Sequence, residues 1–482
     1  MINYRPIFLA IGILLSVLSV AMLIPATFDY AAHNQEYVSF FISSFLTAFV
    51  GISLFLTNRG HTNSINIRQA FILTSGSWTV LVAFAALPLY FSNQDLSYTD
   101  AFFEAMSGLT STGSTILTGL DNMPPGILLW RSLLQWMGGI GIIVVALAIL
   151  PMLNIGGMQL FKTESSDKSD KILPRTAQLS FAISSVYLAI TLMCTISLIM
   201  AGMSNFDAIN HAMSTVSTGG LSTHDQSVAY FNNVKIEIVI IIFMLAGGIP
   251  FTLYISMIQG NLKSLTNNTQ VRCFFAIVLI TVLAVAIELH LIKDYDVLTS
   301  IRYALFNIVS VITTTGFSSA NYSEWGTFSV TLILMLLVVG GCTGSTTGGI
   351  KIFRFQVLYQ TAKAQIDHLI HPHAVIRPRF NGKPITDDIS SSVMSFTTLY
   401  IFSLVVVSVL LSMCGLDYLT SMSAAAANQA NLGVGLGSVV GPAGNFSSLP
   451  DMAKWILSFA MLLGRLEIFT ILVLFAPSFW KN

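Results

Sequence analysis

Charged residues are scarce in this sequence of 482 residues. Lysine and arginine together number 22, aspartate and glutamate also number 22, and these types make up 9% of the chain against 54% for hydrophobic types. Soluble domains carry about 25% charged residues, so this chain has too little charged surface to stay in water as folded domains. The even balance of charge also excludes a nucleic-acid-binding face, which needs clustered basic residues. We therefore predict an integral membrane protein.

Cysteine is scarce as well. The four cysteines lie in or beside apolar runs at unrelated spacings: Cys194, Cys273, Cys342 and Cys414. These spacings match neither a disulfide framework nor a zinc site. No candidate nucleophile stands beside a candidate base, so we predict neither an enzyme activity nor an organic cofactor.

Long apolar runs are abundant. A helix needs about 20 apolar residues to cross a bilayer, and ten such stretches can be marked: 6–27, 37–57, 69–91, 127–153, 177–202, 234–259, 272–293, 325–352, 390–414 and 452–479. The first run is long and lacks a clean cleavage site, so we predict a retained helix rather than a signal peptide. The sequence thus predicts an all-α fold of ten transmembrane helices.

The basic residues predict the orientation of these helices, because lysine and arginine favour cytoplasmic loops. Sixteen of the 22 fall in loops on the side of the N-terminus, five fall in the opposite loops, and Arg465 lies within the last span. We therefore predict that both termini are cytoplasmic.

Four loops on the outer side share a form that the others lack. Each begins with an aspartate, continues as an apolar stretch and ends in a cluster of small residues; the aspartates are Asp100, Asp207, Asp296 and Asp417, and the marker glycines are Gly113, Gly219, Gly316 and Gly435. The stretches are too short to cross a bilayer as helix. We predict half-helices that enter the membrane and return, with the aspartates as N-terminal caps.

This repetition predicts the organisation of the chain. We expect four pseudo-symmetric helix–pore loop–helix units around one pore, preceded by an N-terminal helix pair. The predicted segments are 1–60 for the pair and 61–175, 176–265, 266–385 and 386–482 for the units. The third unit includes a glycine-rich loop and the longest cytoplasmic loop.

The four clusters read TSTGS, VSTGG, TTTGF and GVGLG, and none contains a carboxylate. A monovalent cation that sheds its water needs neutral oxygens, which backbone carbonyls can supply. Glycine reaches positive φ at little steric cost and so can turn neighbouring carbonyls. The C-terminal ends of the half-helices would add partial negative charge. The pattern therefore predicts a cation pore, although a single cluster of this kind usually only packs helices closely.

The whole pattern resembles the Trk/Ktr/HKT superfamily of potassium transporters, and most closely its bacterial Trk branch, over the full chain. The resemblance implies K⁺ as the transported ion, the bacterial cytoplasmic (inner) membrane as location, a homodimer, and regulation by a cytosolic nucleotide-binding (RCK-type) subunit. It also implies that K⁺ is held by the main chain of twelve residues: Ser111, Thr112, Gly113, Ser217, Thr218, Gly219, Thr314, Thr315, Gly316, Gly433, Val434 and Gly435. Because these four carbonyl-bearing segments are short, we expect weak selectivity for K⁺ over Rb⁺ and Na⁺.

Residues 340–349, GGCTGSTTGG, interrupt the eighth predicted span. Glycine costs about 1 kcal/mol relative to alanine within a helix, so we predict a flexible gate beneath the third cluster, formed by Gly340, Gly341, Gly344, Ser345, Thr346, Thr347, Gly348 and Gly349. A phosphate-binding loop is excluded, because Ile350 stands where lysine is required and no strand precedes.

Arg465 lies within the last span, where a charge costs about 3 kcal/mol. We expect it to face the pore, repel cations and anchor the 340–349 loop, a role that the family assigns to an arginine here. An ion pair with Glu467 is the alternative, although residues two apart do not face each other on a helix.

Two interpretations stay open beside a channel-like pore. An ion-coupled secondary transporter, with broken helices around a midplane solute site, would carry more ionisable residues at mid-depth than Glu288, Arg465 and Glu467. A receptor or scaffold would not need four re-entrant loops. Near the cytoplasm, Asp367, His368, His371 and His373 could hold a metal, but Pro372 breaks their spacing. A docking surface for the cytosolic partner is the favoured interpretation.

Overall fold

The computed structural model describes residues 3–60, 66–145, 172–374 and 376–481. This part of the chain is helical apart from loops and one antiparallel hairpin of β1 (Arg379–Phe380) and β2 (Lys383–Pro384). The predicted all-α fold is therefore confirmed. The end of the fourth predicted span, residues 146–153, lies outside the described residues.

The first two helices form a pair that packs against the rest of the molecule. They are α1 (Arg5–Ala31) and α2 (Tyr37–Asn58), and Ser44 Oγ donates to Ser19 O across the pair at 2.8 Å. Their outer faces leave large apolar side chains exposed, such as Phe45 at 71%. A bilayer accounts for such faces, because lipid tails are as apolar as the side chains themselves.

The remaining helices form four sets, which we call copies 1 to 4. Copy 1 contains α3 (Ile67–Ala85), α4 (Leu87–Tyr90), α5 (Tyr98–Leu109) and α6 (Pro125–Val144). Copy 2 contains α7 (Ile172–Met200), α8 (Asn205–Val216), α9 (Val234–Gly247), α10 (Phe251–Ile258) and α11 (Lys263–Asn267). Copy 3 contains α12 (Thr269–Ile292), α13 (Val297–Ile312), α14 (Thr327–Leu336) and α15 (Ile352–Ile370). Copy 4 contains α16 (Asp387–Met413), α17 (Tyr418–Gln429), α18 (Gly437–Val440), α19 (Asp451–Arg465), α20 (Ile468–Leu472) and α21 (Pro477–Trp480).

Not every predicted span is one continuous helix. Among the described residues, seven helices are long and apolar enough to cross a membrane, and two further candidates are bent pairs, at 93° between α9 and α10 and at 113° after α19. The eighth predicted span, 325–352, is helical only over α14 and continues as the non-helical segment 337–351. The count of ten helical spans is therefore not confirmed.

The glycines of these spans have different effects. Gly248 and Pro250 lie at the bend between α9 and α10, where proline lacks the N–H that a helix needs. Gly138 and Gly139 cause no break, because α6 continues through both residues. Their lack of a Cβ instead allows close packing: a Cβ at Gly138 would overlap the Leu109 carbonyl at the end of α5.

The half-helices α5, α8, α13 and α17 begin at polar caps. Asp296 and Asp417 are N-caps, as predicted, and accept hydrogen bonds from the N–H groups of Thr299 and Thr420. Side-chain hydrogen bonds from these threonines lower the pKa of both aspartates below its usual value, so both caps are charged at neutral pH.

The predicted caps of the other two half-helices are wrong by three residues. Ser97 and Ser204 are the N-caps, and each also donates its hydroxyl at 2.7 Å to the aspartate three residues later, Asp100 or Asp207. This is the serine-x-x-acid pattern of a capping box, in which the acid stands within the first turn.

Candidate cation-conduction site

All four half-helices end in the same hydrogen-bonded turn. Two residues after each helix, a non-glycine residue adopts a left-handed φ of 51°, 51°, 51° or 55°: Ser111, Thr218, Thr314 and Asn431. The next residue donates its N–H at 2.8 Å to the carbonyl five residues back in every copy: Thr112 to Ser107, Gly219 to Ser214, Thr315 to Ser310 and Leu432 to Ala427. Such a turn satisfies carbonyls that the helix end would otherwise leave unpaired.

A glycine with positive φ completes each turn, four residues after the last helical residue: Gly113, Gly220, Gly316 and Gly433. The equivalent triads are therefore 111–113, 218–220, 314–316 and 431–433. The register predicted for copies 1 and 3 agrees with this equivalence. In copy 2 it is one residue early, since Gly220 and not Gly219 takes the equivalent place. In copy 4 it is two residues late, and Gly435 lies instead against its own copy, with its N–H donating to Val440 O at 2.7 Å.

The four triads close into a ring. A Cβ added to each of these glycines would overlap a carbonyl oxygen of the next copy: Gly113 meets Gly219 O, Gly220 meets Thr315 O, Gly316 meets Leu432 O, and Gly433 meets Thr112 O. Copy 1 thus touches copy 2, and copy 4 touches copy 1 again. With positive φ and no space for a side chain, only glycine fits at these positions. We call these twelve residues the ring.

The ring is uncharged. Its sequences are STG, TGG, TTG and NLG, and each follows directly on the C-terminal end of a half-helix. That end carries partial negative charge from the unpaired peptide dipoles. Four such ends at one ring of backbone favour a cation there without any carboxylate.

Three ring residues hold a strained backbone. Left-handed φ is uncommon outside glycine and asparagine, and for β-branched residues such as Thr218 and Thr314 it is a true outlier. Each such residue costs about 1–3 kcal/mol, and strain of this kind is typical of functional sites. The side chains concerned all point to one partner region, the 340–349 loop and Arg465.

The 340–349 loop packs directly against the ring. Thr346 Oγ1 lies 3.1 Å from both Val216 O and Gly247 O, which share its one hydrogen, and it accepts from Thr218 Oγ1 at 3.2 Å. The N–H of Gly348 donates to Thr314 Oγ1 at 2.7 Å. A Cβ at Gly348 would overlap the carbonyl oxygen of Ala430, at the end of half-helix α17. The loop therefore contacts copies 2, 3 and 4.

Arg465 completes the contact with copy 1. Its guanidinium is 3% exposed and donates to Thr346 O at 2.9 Å and to Ser111 Oγ at 3.1 Å. Within the described chain, no carboxylate lies within ion-pair distance of Arg465, and its Nε has no hydrogen-bond partner. The alternative pairing with Glu467 does not occur, because Glu467 binds Arg354 at 2.5 Å.

Further cations lie on the far side of the loop. Lys351 Nζ donates to the carbonyl and hydroxyl of Thr347, and the fully buried Arg354 stacks on Phe396 at 3.6 Å from the ring centroid. The pair of Arg354 with Glu467 joins α15 to the bend that follows α19, where Glu467 itself has a φ of 62°.

One ring contact was missed from the sequence. Gln135 of α6 is fully buried; its Nε2 donates to Gly219 O at 2.6 Å, and its Oε1 accepts from Leu221 N at 3.2 Å. An amide in the middle of an apolar span is itself a signal, since polar groups within a membrane are costly and face the protein interior.

The cysteines and histidines form no metal site in the described residues. The four cysteines are unpaired thiols, and the described residues contain no group of three histidines, cysteines or carboxylates that could hold a metal ion. Instead, a cavity of about 880 Å³ lies beside His368, between α15 and the start of α16. A docking role for this surface stays a prediction.

Comparisons with known proteins agree with this architecture. Residues 35–482 match the TrkH family model, described as a cation transport protein. The chain is 42% identical to the Trk system potassium uptake protein TrkI of Halomonas elongata, over 100% of this chain and 98% of that one. It is 38% identical to the Trk system potassium uptake protein TrkH of Salmonella typhimurium, over the whole of both chains. The crystal structure of the potassium transporter TrkH from Vibrio parahaemolyticus superposes with a TM-score of 0.92 at 36% identity, over the whole of both chains. The chain therefore belongs to the TrkH family of cation transport proteins.

Proposed function

We propose that this chain is the membrane subunit of a potassium uptake system and conducts K⁺ through the ring in a channel-like manner. The names of its relatives as Trk potassium uptake proteins support the choice of ion. Inward flow would be driven by the membrane potential, which is worth about 2.3 kcal/mol per charge per 100 mV.

The observation that carries the proposal is the closed cycle of glycine-to-carbonyl contacts around four uncharged triads. Backbone carbonyls in such a ring replace the water shell of a monovalent cation. We assign the selectivity filter to residues 111–113, 218–220, 314–316 and 431–433. The ring lies at the ends of four half-helices, so their dipoles favour the dehydrated ion.

The 340–349 loop and Arg465 are the proposed gate. Together they contact all four copies at the C-terminal ends of the half-helices. A guanidinium without a carboxylate partner in the described chain would also repel a cation that leaves the ring. Opening then requires the loop to move away from Val216, Thr314 and Ala430.

The surroundings of the pore follow from the same proposal. The chain would lie in the bacterial cytoplasmic membrane as a homodimer, with both termini in the cytoplasm, as the excess of lysine and arginine on that side predicts. A cytosolic nucleotide-binding subunit of the RCK type would bind the basic surface around α15 and move the loop.

The test is ⁸⁶Rb⁺ uptake into proteoliposomes that contain the purified chain, with and without an imposed potential. A channel-like pore predicts uptake that follows the ion gradient and voltage alone and is inhibited by K⁺ more strongly than by Na⁺. Equal inhibition by both ions, or uptake that does not follow the ion gradient and the voltage, would contradict the proposal.

An ion-coupled secondary transporter is the second candidate, and the two sharply bent helix pairs favour it, since transporters build midplane sites from broken helices. The same assay separates the two. A transporter predicts uptake that requires a proton or sodium gradient. It also predicts that this uptake continues against the electrochemical gradient of Rb⁺.

A further inference from the structure

Behind the ring, each half-helix is tied to the segment that follows its ring glycine. In copy 1, Glu104 accepts hydrogen bonds from Thr115 Oγ1 at 3.0 Å and from Ile116 N at 2.9 Å. In copy 2, His211 Nε2 lies 3.0 Å from Ser222 Oγ. Both contacts join a buried side chain of the half-helix to the segment that returns from the ring.

Copies 3 and 4 have the same tie from different side chains. Asn307 accepts from Ser319 N at 3.2 Å and donates to Ser319 Oγ at 3.0 Å. Ser423 accepts from Leu436 N at 3.0 Å and donates to Leu436 O at 3.3 Å. The chain therefore meets one geometric requirement with a carboxylate, an imidazole, an amide and a hydroxyl.

Three of the four side chains that make these ties occupy equivalent positions in their copies. Glu104, His211 and Asn307 each lie five residues before the last residue of their half-helix, in the register that also aligns the ring glycines. All three are buried, at 1%, 0% and 0% exposure. In copy 4 this position is Ala424, and Ser423 beside it makes the contact.

Copy 1 has an additional part. Arg131 of α6 is 2% exposed; its Nε donates to Glu104 Oε1 at 2.7 Å, its Nη2 to Thr115 Oγ1 at 3.0 Å, and its Nη1 to Ser222 O at 3.0 Å. The guanidinium thus joins the tie of copy 1 to the segment after the ring in copy 2. It is a brace across the boundary of copies 1 and 2, in addition to the contacts of Gln135 with Gly219 and Leu221.

A buried ion pair is weak evidence of a contribution to stability, because well-packed apolar residues of similar volume are often as stable or more so. What the planar guanidinium provides is fixed geometry, with several donors held in one plane. We propose that Arg131 and Glu104 are positioning residues that hold the ring at the boundary of copies 1 and 2 at the width that favours K⁺ over the smaller Na⁺. This inference rests on the proposed function, since it concerns the selectivity of the same ring.

The experiment compares the full-length chain with the variant Glu104→Leu/Arg131→Met in proteoliposomes. The measurement is the ratio of the Na⁺ and K⁺ concentrations that halve ⁸⁶Rb⁺ uptake. We expect the ratio to fall about tenfold, equivalent to about 1.4 kcal/mol of discrimination, while ⁸⁶Rb⁺ uptake itself continues. The matched control is Glu237→Leu/Arg302→Met, which removes an ion pair of 2.7 Å. Arg302 contacts the segment after Gly220 at Asn232, twelve residues beyond that glycine, so the ratio of this control should equal that of the wild type.

Each outcome has one meaning. A wild type without preference for K⁺ overturns the proposed function itself. If the wild type is selective and the double variant is equally selective, the inference alone is overturned. The same holds if the two inhibitory concentrations change by the same factor, so that their ratio is unchanged. It also holds if the ratio falls equally in the control variant. If the double variant does not fold, Glu104→Gln retains an oxygen for Ile116 N but loses the charge that holds Arg131, and must show a smaller fall in the same ratio; an unchanged ratio overturns the inference.

Discussion

At the scale of single residues, the ring depends on backbone conformations that its side chains do not favour. Thr218 and Thr314 are left-handed although β-branched residues avoid that region. Both hydroxyls contact the 340–349 loop. The strain is therefore located where the ring meets the proposed gate, and the contacts with the loop hold these residues in place.

The first prediction concerns Gly433, whose φ is 84° and whose added Cβ would overlap Thr112 O. The change Gly433→Ala should deform the ring and reduce the preference for K⁺ over Na⁺ by about tenfold or more, since a left-handed alanine alone costs about 1–2 kcal/mol. The measurement is inhibition of ⁸⁶Rb⁺ uptake by K⁺ and by Na⁺.

The matched control is Gly119→Ala. Gly119 also has positive φ, at 72°, but an added Cβ would meet nothing within 4 Å, so selectivity should be retained. Equal selectivity in both variants would contradict the assignment of residues 431–433 to the ring.

A second prediction concerns the hydroxyl of Thr346. Thr346→Val keeps the shape of the side chain but removes the one hydroxyl hydrogen that Val216 O and Gly247 O share, and a hydrogen bond is worth about 1 kcal/mol. Basal ⁸⁶Rb⁺ uptake without a partner subunit should therefore rise severalfold. Thr343→Val is the control in the same loop, because the Thr343 hydroxyl is buried with no hydrogen-bond partner among the described residues. A similar rise in both variants would dismiss a specific role of Thr346.

A third prediction concerns Arg465, whose charge has no carboxylate partner in the described chain. Arg465→Ala should raise basal uptake, because it removes both the cation and the hydrogen bonds to Ser111 and Thr346. The exposed Lys363 offers a control by Lys363→Ala. Lower uptake in Arg465→Ala would indicate a structural role instead.

At the scale of elements, the sequence predicts the half-helices well and their ends poorly. Apolar stretches too short to span a bilayer are visible from length alone. The serine-x-x-acid pattern contains the signal for the caps Ser97 and Ser204, whereas the prediction placed these caps at the aspartates three residues later. The register of the ring was not readable, since VSTGG offers two adjacent glycines, GVGLG offers Gly433, Gly435 and Gly437, and left-handed threonine has no sequence signal.

The bend after α19 is a second element that sequence reasoning did not resolve. The residue with positive φ at the bend is Glu467 and not a glycine, and Glu467 is held by Arg354 from another helix. The partner of Glu467 depends on the tertiary fold, which places Arg354 of α15 beside the bend after α19, and no local pattern of residues reports this.

A fourth prediction follows for this bend. Glu467→Gln leaves the buried guanidinium of Arg354 without its carboxylate, which costs about 3–5 kcal/mol when a buried pair loses one member. The thermal unfolding midpoint in detergent should fall. The double variant Arg354→Met/Glu467→Gln should recover part of the loss, and a midpoint that does not change in Glu467→Gln would contradict a stabilising pair.

At the scale of the whole molecule, four non-identical copies share one turn, one glycine position and one tie to the following segment. Internal repetition was sufficient to predict the arrangement around an axis. The order of contacts, copy 1 to 2, 2 to 3, 3 to 4 and 4 to 1, required coordinates. The contact of the 340–349 loop with the ring also required coordinates, because a glycine-rich segment predicts only that helix is absent.

The most direct test of the account is to locate the ion. Crystals of the chain grown or soaked with Tl⁺ or Rb⁺ would reveal the cation by its anomalous scattering. We predict a peak on the axis bounded by Gly113, Gly220, Gly316 and Gly433. A peak outside this ring, beside Gly435 or among side-chain carboxylates, with none on the axis, would contradict it.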